Sequence, residues 1–273
     1  MLSKNTKTNS NSGNLVVNTG GSQEADNKLY ITRKRKKYKF AKFNELNNTF
    51  QFDEWSQDVF NNLKKEIRSL KQDKSKDQGR GQRKDEDLNS EKEPKVIVEI
   101  GAGTGLFSVE LAKRHPENLY IAIDIKSDRL YSGAKLADEL KLSNVVFIRS
   151  DIWRLKELFK ENSVSEIWIT FPDPYANEDQ TKLNKSDAKH RLTHFRFLEI
   201  FESILKGQLH FKTDNEPLFE WSKEQFKKDG WSIIEETDDL HSSTLLDDYK
   251  IMTSYEEKFV ADGLVIHLLT AKI

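Results

Sequence analysis

Two loops in this 273-residue chain hold the residues whose types and spacing could do chemistry. The first is Glu99-Ile100-Gly101-Ala102-Gly103-Thr104-Gly105. Glycines so spaced let the backbone take φ above zero and bring a ligand close to the main chain. Asp124 ends the next apolar run, where a carboxylate can accept hydrogen bonds from both hydroxyls of a ribose, a geometry shared with nicotinamide enzymes. The second loop is Thr170-Phe171-Pro172-Asp173-Pro174-Tyr175. Each proline restricts its own φ and the residue before it, so Asp173 is presented from a stiff, extended segment.

The elements that must position these loops are legible as periodic runs. Val96–Ile100 is a short apolar run stopped by glycines, as a buried strand is. Helices are predicted over 106–114, 127–140, 155–160, 193–205 and 218–229, and further strands over 120–125, 145–148, 166–170, 208–212, 231–235 and 264–270. Alternating strands and helices imply an α/β domain with a mostly parallel sheet and helices on both faces. Ligands of such sheets sit beyond the C-terminal strand ends, where both loops fall. Ahead of this domain, which spans 95–273, the composition divides into three. Residues 1–28 are polar and expected to be a disordered tail, 29–70 a basic arm and an amphipathic helix over 55–70, and 71–94 a charged flexible linker.

The formal net charge is −1, yet Arg33, Lys34, Arg35, Lys36, Lys37, Lys39 and Lys42 fall within ten residues with no acid among them. Such an arm either binds a polyanion or is a solvated charge run. The chain has no cysteine, which excludes disulfides and thiolate chemistry. No metal is expected. No apolar run approaches bilayer length and the N-terminus lacks the apolar stretch of a signal peptide, so a cytoplasmic protein without a membrane partner is expected.

The glycine loop is not a dinucleotide fingerprint, because its third glycine arrives one residue early and position 106 is Leu. No P-loop Gly-Lys-Ser/Thr ending follows either. The spacing G-x-G-x-G after an acid resembles motif I of class I S-adenosylmethionine (SAM)-dependent methyltransferases. Phe171-Pro172-Asp173-Pro174 resembles the target loop of bacterial tRNA (guanine-N7-)-methyltransferases. Three more segments resemble that family in its order: Lys189-His190-Arg191-Leu192-Thr193, His210-Phe211-Lys212-Thr213-Asp214-Asn215 and Thr253-Ser254-Tyr255-Glu256-Glu257-Lys258-Phe259. The resemblance covers 94–273. Tyr175 stands where the family usually has Trp, and 176–188 is longer than the family's loop and carries Glu178 and Asp179 where basic residues are usual.

The resemblance implies a Rossmann-like class I methyltransferase with a seven-stranded sheet and an antiparallel C-terminal strand. It implies SAM as cofactor, held by Glu99, Gly101, Gly103, Gly105, Asp124 and Asp151, and tRNA as substrate, methylated at N7 of a variable-loop guanine (position 46 of tRNA). The protein would act as a monomer or homodimer. Asp173 is the expected catalytic acid. Thr213, Asp214, Thr253 and Glu256 would grip the target or order the Asp173 loop, and Arg191 would bind phosphate. The basic arm, Arg33, Lys34, Arg35, Lys36 and Lys37, would hold the RNA backbone. Several residues read two ways: Asp151 or Glu99 as a local cap, Asp214 as a turn residue, Arg191 as part of a helix cap, Tyr255 and Phe259 as packing for the C-terminal strand. Three rival functions stay open: an amino-group RNA or DNA methyltransferase, a dehydrogenase, and a non-catalytic RNA-binding member of the fold.

Overall fold

The computed structural model describes residues 35–77 and 93–273. The tail at 1–28, Arg33, Lys34 and most of the expected linker lie outside the described residues. Helix α1 covers 35–43, then come β1 (Thr49–Gln51) and α2 (Gln57–Asp77). The larger part continues with β2 (Val96–Ile100), α3 (Leu106–Arg114), β3 (Leu119–Asp124), α4 (Ser127–Glu139), β4 (Val145–Arg149) and α5 (Leu155–Leu158). It ends with β5 (Val164–Thr170), α6 (Phe195–Ile204), β6 (Leu205–Thr213), α7 (Glu216–Lys228), β7 (Ser232–Thr237), α8 (Ser254–Ala261) and β8 (His267–Lys272).

The strands form one eight-stranded sheet in the order β1-β4-β3-β2-β5-β6-β8-β7. All neighbours from β1 to β6 are parallel, and β8 runs antiparallel between β6 and β7. Strand β2 sits in the middle because Val96, Val98 and Ile100 face one apolar layer while Ile97 faces the other. Helices α2, α5, α6 and α7 supply the first layer, α1, α3 and α4 the second.

The seven expected strands are present, and an eighth, β1, was not expected. It is three residues long, too short for a periodic signal. Tertiary pairing makes it a strand: Thr49 registers with Phe147, and the Phe147 N–H donates to the Asn48 carbonyl at 2.9 Å. The basic arm from residue 35 on and the amphipathic helix are therefore packed on the main sheet. Phe43, at the end of α1, is fully buried, as is Ile67 on α2, and the Trp55 indole N–H donates to the Leu158 carbonyl at 3.1 Å. Helix α2 runs on to Asp77, seven residues into the stretch expected to be linker. Among the described residues no helix is long and apolar enough to cross a membrane.

Candidate active site

The loop after β2 is a tight turn in which Gly101, Gly103 and Gly105 all have positive φ, between 55° and 69°. Gly105 is required twice over, because a Cβ there would also stand 2.6 Å from the Phe147 ring. The Asp124 carboxylate braces this loop, accepting from the Gly103 N–H at 2.9 Å with one oxygen and from the Lys126 N–H at 2.8 Å with the other. Helix α4 closes against it. Gly133 donates its N–H to the Thr104 carbonyl at 2.9 Å, and a Cβ at that position would lie 2.4 Å from the same oxygen. Gly133 was missed in the sequence because a lone glycine within a helix announces no partner.

Glu99 is buried on the α3 face of β2. One oxygen accepts from the Ser108 hydroxyl at 2.6 Å and the Ser108 N–H at 3.2 Å, the other from Thr170 at 2.8 Å. Burial pushes its carboxyl up to about 7, against the opposing pull of those hydrogen bonds. The local-cap reading therefore describes its bonds, while its edge still lines the cleft described next.

A cleft of about 410 Å³ opens at the C-terminal ends of β2, β5 and β6. Glu99, Gly101 and Gly103 form one side, Phe171 to Pro174 a second, Asp214 and Asn215 a third, and Thr253 and Tyr255 the fourth. Asp173 is exposed on its rim, and among the described residues no donor reaches its carboxylate. Phe171 and Tyr175 flank it with φ of 49° and 51°, a left-handed conformation costly for aromatic residues. The strain is held from two sides. The Phe171 N–H donates to the Lys212 carbonyl at 2.8 Å, prolonging the β5–β6 ladder. Arg191 donates to the carbonyls of Pro174, Tyr175 and Asn184 at 2.8, 3.2 and 2.7 Å.

This geometry places several of the expected contact residues behind or beside the cleft. Arg191 is 2% exposed, with its guanidinium spent on those carbonyls and stacked on Trp221, so it clamps the target loop and does not face phosphate. Glu256 is fully buried away from the cleft, accepting from Lys212 and from His241 at 2.8 and 2.9 Å. Thr213 is buried and accepts from the Asn215 N–H, and Asp151 caps a turn by accepting from the Trp153 N–H at 3.1 Å. Tyr255 and Phe259 do not pack the last strand. They belong to α8, Tyr255 half exposed at the cleft and Phe259 against the Phe171 ring. Thr253 caps α8 while lining the cleft, and burial raises the carboxyl of Asp214.

Lys212 is the residue sequence reasoning passed over. Its ammonium is buried and donates to the Tyr249 and Ile251 carbonyls and to Glu256, tying α8 to the sheet behind Phe107 and Phe171. Its signal was a lysine inside an otherwise buried strand, His210-Phe211-Lys212. Arg129 and Gln180 also line the cleft. Gln180 arrives through the long loop, which folds as a compact hairpin with Ala176 bridged to Leu183 and the Gln180 carbonyl accepting from Asn215 at 3.1 Å. Asp124, Asp151, Arg191, Thr213 and Glu256 do not line the cleft. Among the described residues no group of acids and histidines is arranged to hold a metal.

A glycine turn over the middle strand of a parallel sheet, braced by the acid of the next strand and facing a proline-stiffened acidic loop, defines a class I methyltransferase. A family model described as "Putative methyltransferase" matches residues 93–269. The tRNA (guanine-N(7)-)-methyltransferase of Porphyromonas gingivalis is 38% identical over 179 residues, covering 64% of this chain and 70% of that protein. The protein of the same name from Enterococcus faecalis is 41% identical, covering 65% and 79%. Among solved structures, the 16S rRNA methyltransferase KamB has a TM-score of 0.47 at 18% identity, covering 71% of this chain and 95% of that one. The chain belongs to the tRNA (guanine-N(7)-)-methyltransferase family.

Proposed function

We propose that this protein transfers the methyl group of SAM to N7 of a guanine in tRNA, in the variable loop, and does so in the cytosol. The observation that carries the reading is Asp173. It is a carboxylate without a partner among the described residues, held on strained, doubly clamped backbone, in one cleft with the glycine turn.

The residues present fit SAM. The positive-φ glycines leave main-chain surface open to the cleft, Glu99 offers an acid edge to a cationic ligand, and among the described residues each Asp124 oxygen accepts one N–H and keeps a lone pair. Gly101, Gly103 and Glu99 would hold the methionine part, Gly105 the turn itself, Asp124 the ribose, and Asp151 the adenine side. Bound SAM supplies an electrophilic methyl on a sulfonium.

Guanine N7 carries no proton in the nucleoside and its lone pair lies in the ring plane, so no general base is needed. Rate then comes from alignment and from electrostatic help to the cationic product. Asp173 does both. It accepts hydrogen bonds from N1–H and the 2-amino group, which orients the purine, and its charge favours the methylated cation. Asp214 and Thr253 flank the same space and bound the guanine. Thr213, Glu256 and Arg191 act one step back, through Asn215, α8 and the target loop. Arg33, Lys34, Arg35, Lys36 and Lys37 hold the RNA backbone.

Incubation with labelled SAM and unmodified tRNA, then strand scission at N7-methylguanine, tests the reading. Label and scission at one guanine are expected. Label recovered instead in an exocyclic N-methyl nucleoside would transfer the protein to the amino-group methyltransferases.

A further inference from the structure

The cleft leaves a set of cations unused. Helix α1 and the turn between β3 and α4 enclose a groove of about 430 Å³ at the C-terminal ends of β3 and β4. Lys36, Lys37 and Phe40 line it from α1, Lys126 from the turn and Arg149 from the end of β4, with Asp128 the acid among its lining residues. Arg149 is set in place. Its Nε–H donates to the Ile125 carbonyl at 3.2 Å, its guanidinium to Gln51 at 3.1 Å, and it lies 5.5 Å over the Phe40 ring. Among the described residues its remaining N–H groups meet no acceptor.

Some lysines elsewhere on the body sit in ion pairs one helical turn apart, as Lys113 does with Glu110, Lys135 with Glu139 and Lys223 with Glu220. Among the described residues no carboxylate lies within ion-pair distance of Lys36, Lys37, Lys126 or Arg129. Lys126 precedes the first turn of α4 and Arg129 follows one turn later. Lys126 belongs to the groove and Arg129 to the cleft. The cations therefore form a row that starts on α1, crosses the beginning of α4 and ends beside the glycine turn.

We propose that this groove holds phosphodiester groups of the RNA strand adjoining the target nucleotide, and that Lys126 and Arg129 lead that strand into the cleft. The inference rests on the reading of the protein as a tRNA methyltransferase. A groove walled by a helix on one side and a turn on the other admits a single strand, whereas a bilayer needs a continuous outward face. Each phosphate neutralised there releases counterions and steepens the salt dependence of binding. The groove also gives the packing of α1 on the sheet a purpose: Phe43 buries the end of the basic helix, and the fold thereby turns a charge run into one wall of a site.

The test uses the full chain with the double variant Lys37→Ala/Lys126→Ala and, as a distant control, Lys160→Ala. All three lysines are exposed, so melting temperatures are expected to match the wild type. Binding of an unmodified tRNA transcript is measured across a salt series. The double variant is expected to bind roughly tenfold more weakly at moderate salt, with the slope of log K against log salt reduced by about two. KM for tRNA rises while kcat at saturating tRNA and SAM affinity hold. An unchanged slope in a double variant of a wild type that does methylate tRNA overturns the groove, and with it the backbone contact given to Lys37, and leaves the methyl transfer to tRNA standing. An equal loss in Lys160→Ala overturns it as general electrostatics. Loss of binding to phosphatidylserine vesicles with tRNA binding intact gives the groove to a membrane and overturns it too. A wild type that neither binds nor methylates tRNA removes the function reading and this inference together.

Discussion

Asp173 and Glu256 are carboxylates of the same charge, both drawn from segments resembling one family, and the fold treats them in opposite ways. Asp173 stands on the cleft rim with no donor among the described residues, on backbone held in a costly conformation. Glu256 is fully enclosed between Lys212 and His241, with both oxygens engaged. A carboxylate whose valence is already satisfied supports structure, and one left open is available to a substrate. The loop around Asp173 spends its hydrogen bonds on main-chain carbonyls through Arg191, which keeps the acid itself free.

The largest effect that could break this contrast is expected at Glu256. Glu256→Ala leaves Lys212 buried without its counterion, which costs on the order of 3–5 kcal/mol. Urea unfolding measures it, and a variant as stable as wild type would mean that Glu256 is not the brace described. Replacing Lys212 and Glu256 together by apolar residues of similar size is expected to regain much of that stability.

At Asp173 the expectation reverses. Asp173→Ala should lower kcat for tRNA methylation by on the order of a hundredfold while the melting temperature stays put, because the side chain is exposed and has no partner among the described residues. Full activity in single-turnover assays would remove Asp173 from the chemistry.

Glu99 lies between the two extremes, buried yet edging the cleft. Its carboxyl is raised to about 7 in the fold, so its contribution to stability is full below about 4.5 and is lost as pH rises through about 7. Relative to Glu99→Gln, wild-type stability should fall across that window by an amount on the order of 3 kcal/mol. A cationic ligand favours the ionised form, so SAM affinity should tighten from pH 6 to pH 8 in wild type and stay flat in the variant. Calorimetry at several pH values decides it.

The smallest effect sharpens the reading of Asp151. As a cap on the Trp153 N–H, its loss in Asp151→Ala should cost about 1 kcal/mol. A fall in SAM affinity beyond that cost, read by titration, would add a ligand contact to the cap.

The core strands were legible because each is a continuous apolar run. Val96–Ile100 and helix Leu106–Arg114 have in the fold the bounds their periodicity predicts. The glycine turn and the Pro-Asp-Pro loop were legible because glycine and proline act through local backbone sterics, which do not depend on distant partners. Strand β1 was not legible, since three residues carry no period and only the Phe147 edge of β4 makes them a strand. The hairpin in the long loop was likewise hidden, because its closure depends on Ala176 meeting Leu183 and on Asn215 reaching back to Gln180.

What the sequence alone determined is therefore the alternation of strand and helix, the placing of both loops at strand ends, and the acids on offer there. Which acid is free and which is consumed was decided only in three dimensions. Arg191, Lys212 and Glu256 look like substrate contacts or surface charges when read along the chain. Their partners lie 16 residues away at Tyr175, 37 at Tyr249 and 44 at Lys212. Hydrogen bonding and desolvation depend on what surrounds a group in space, and chain spacing does not encode that.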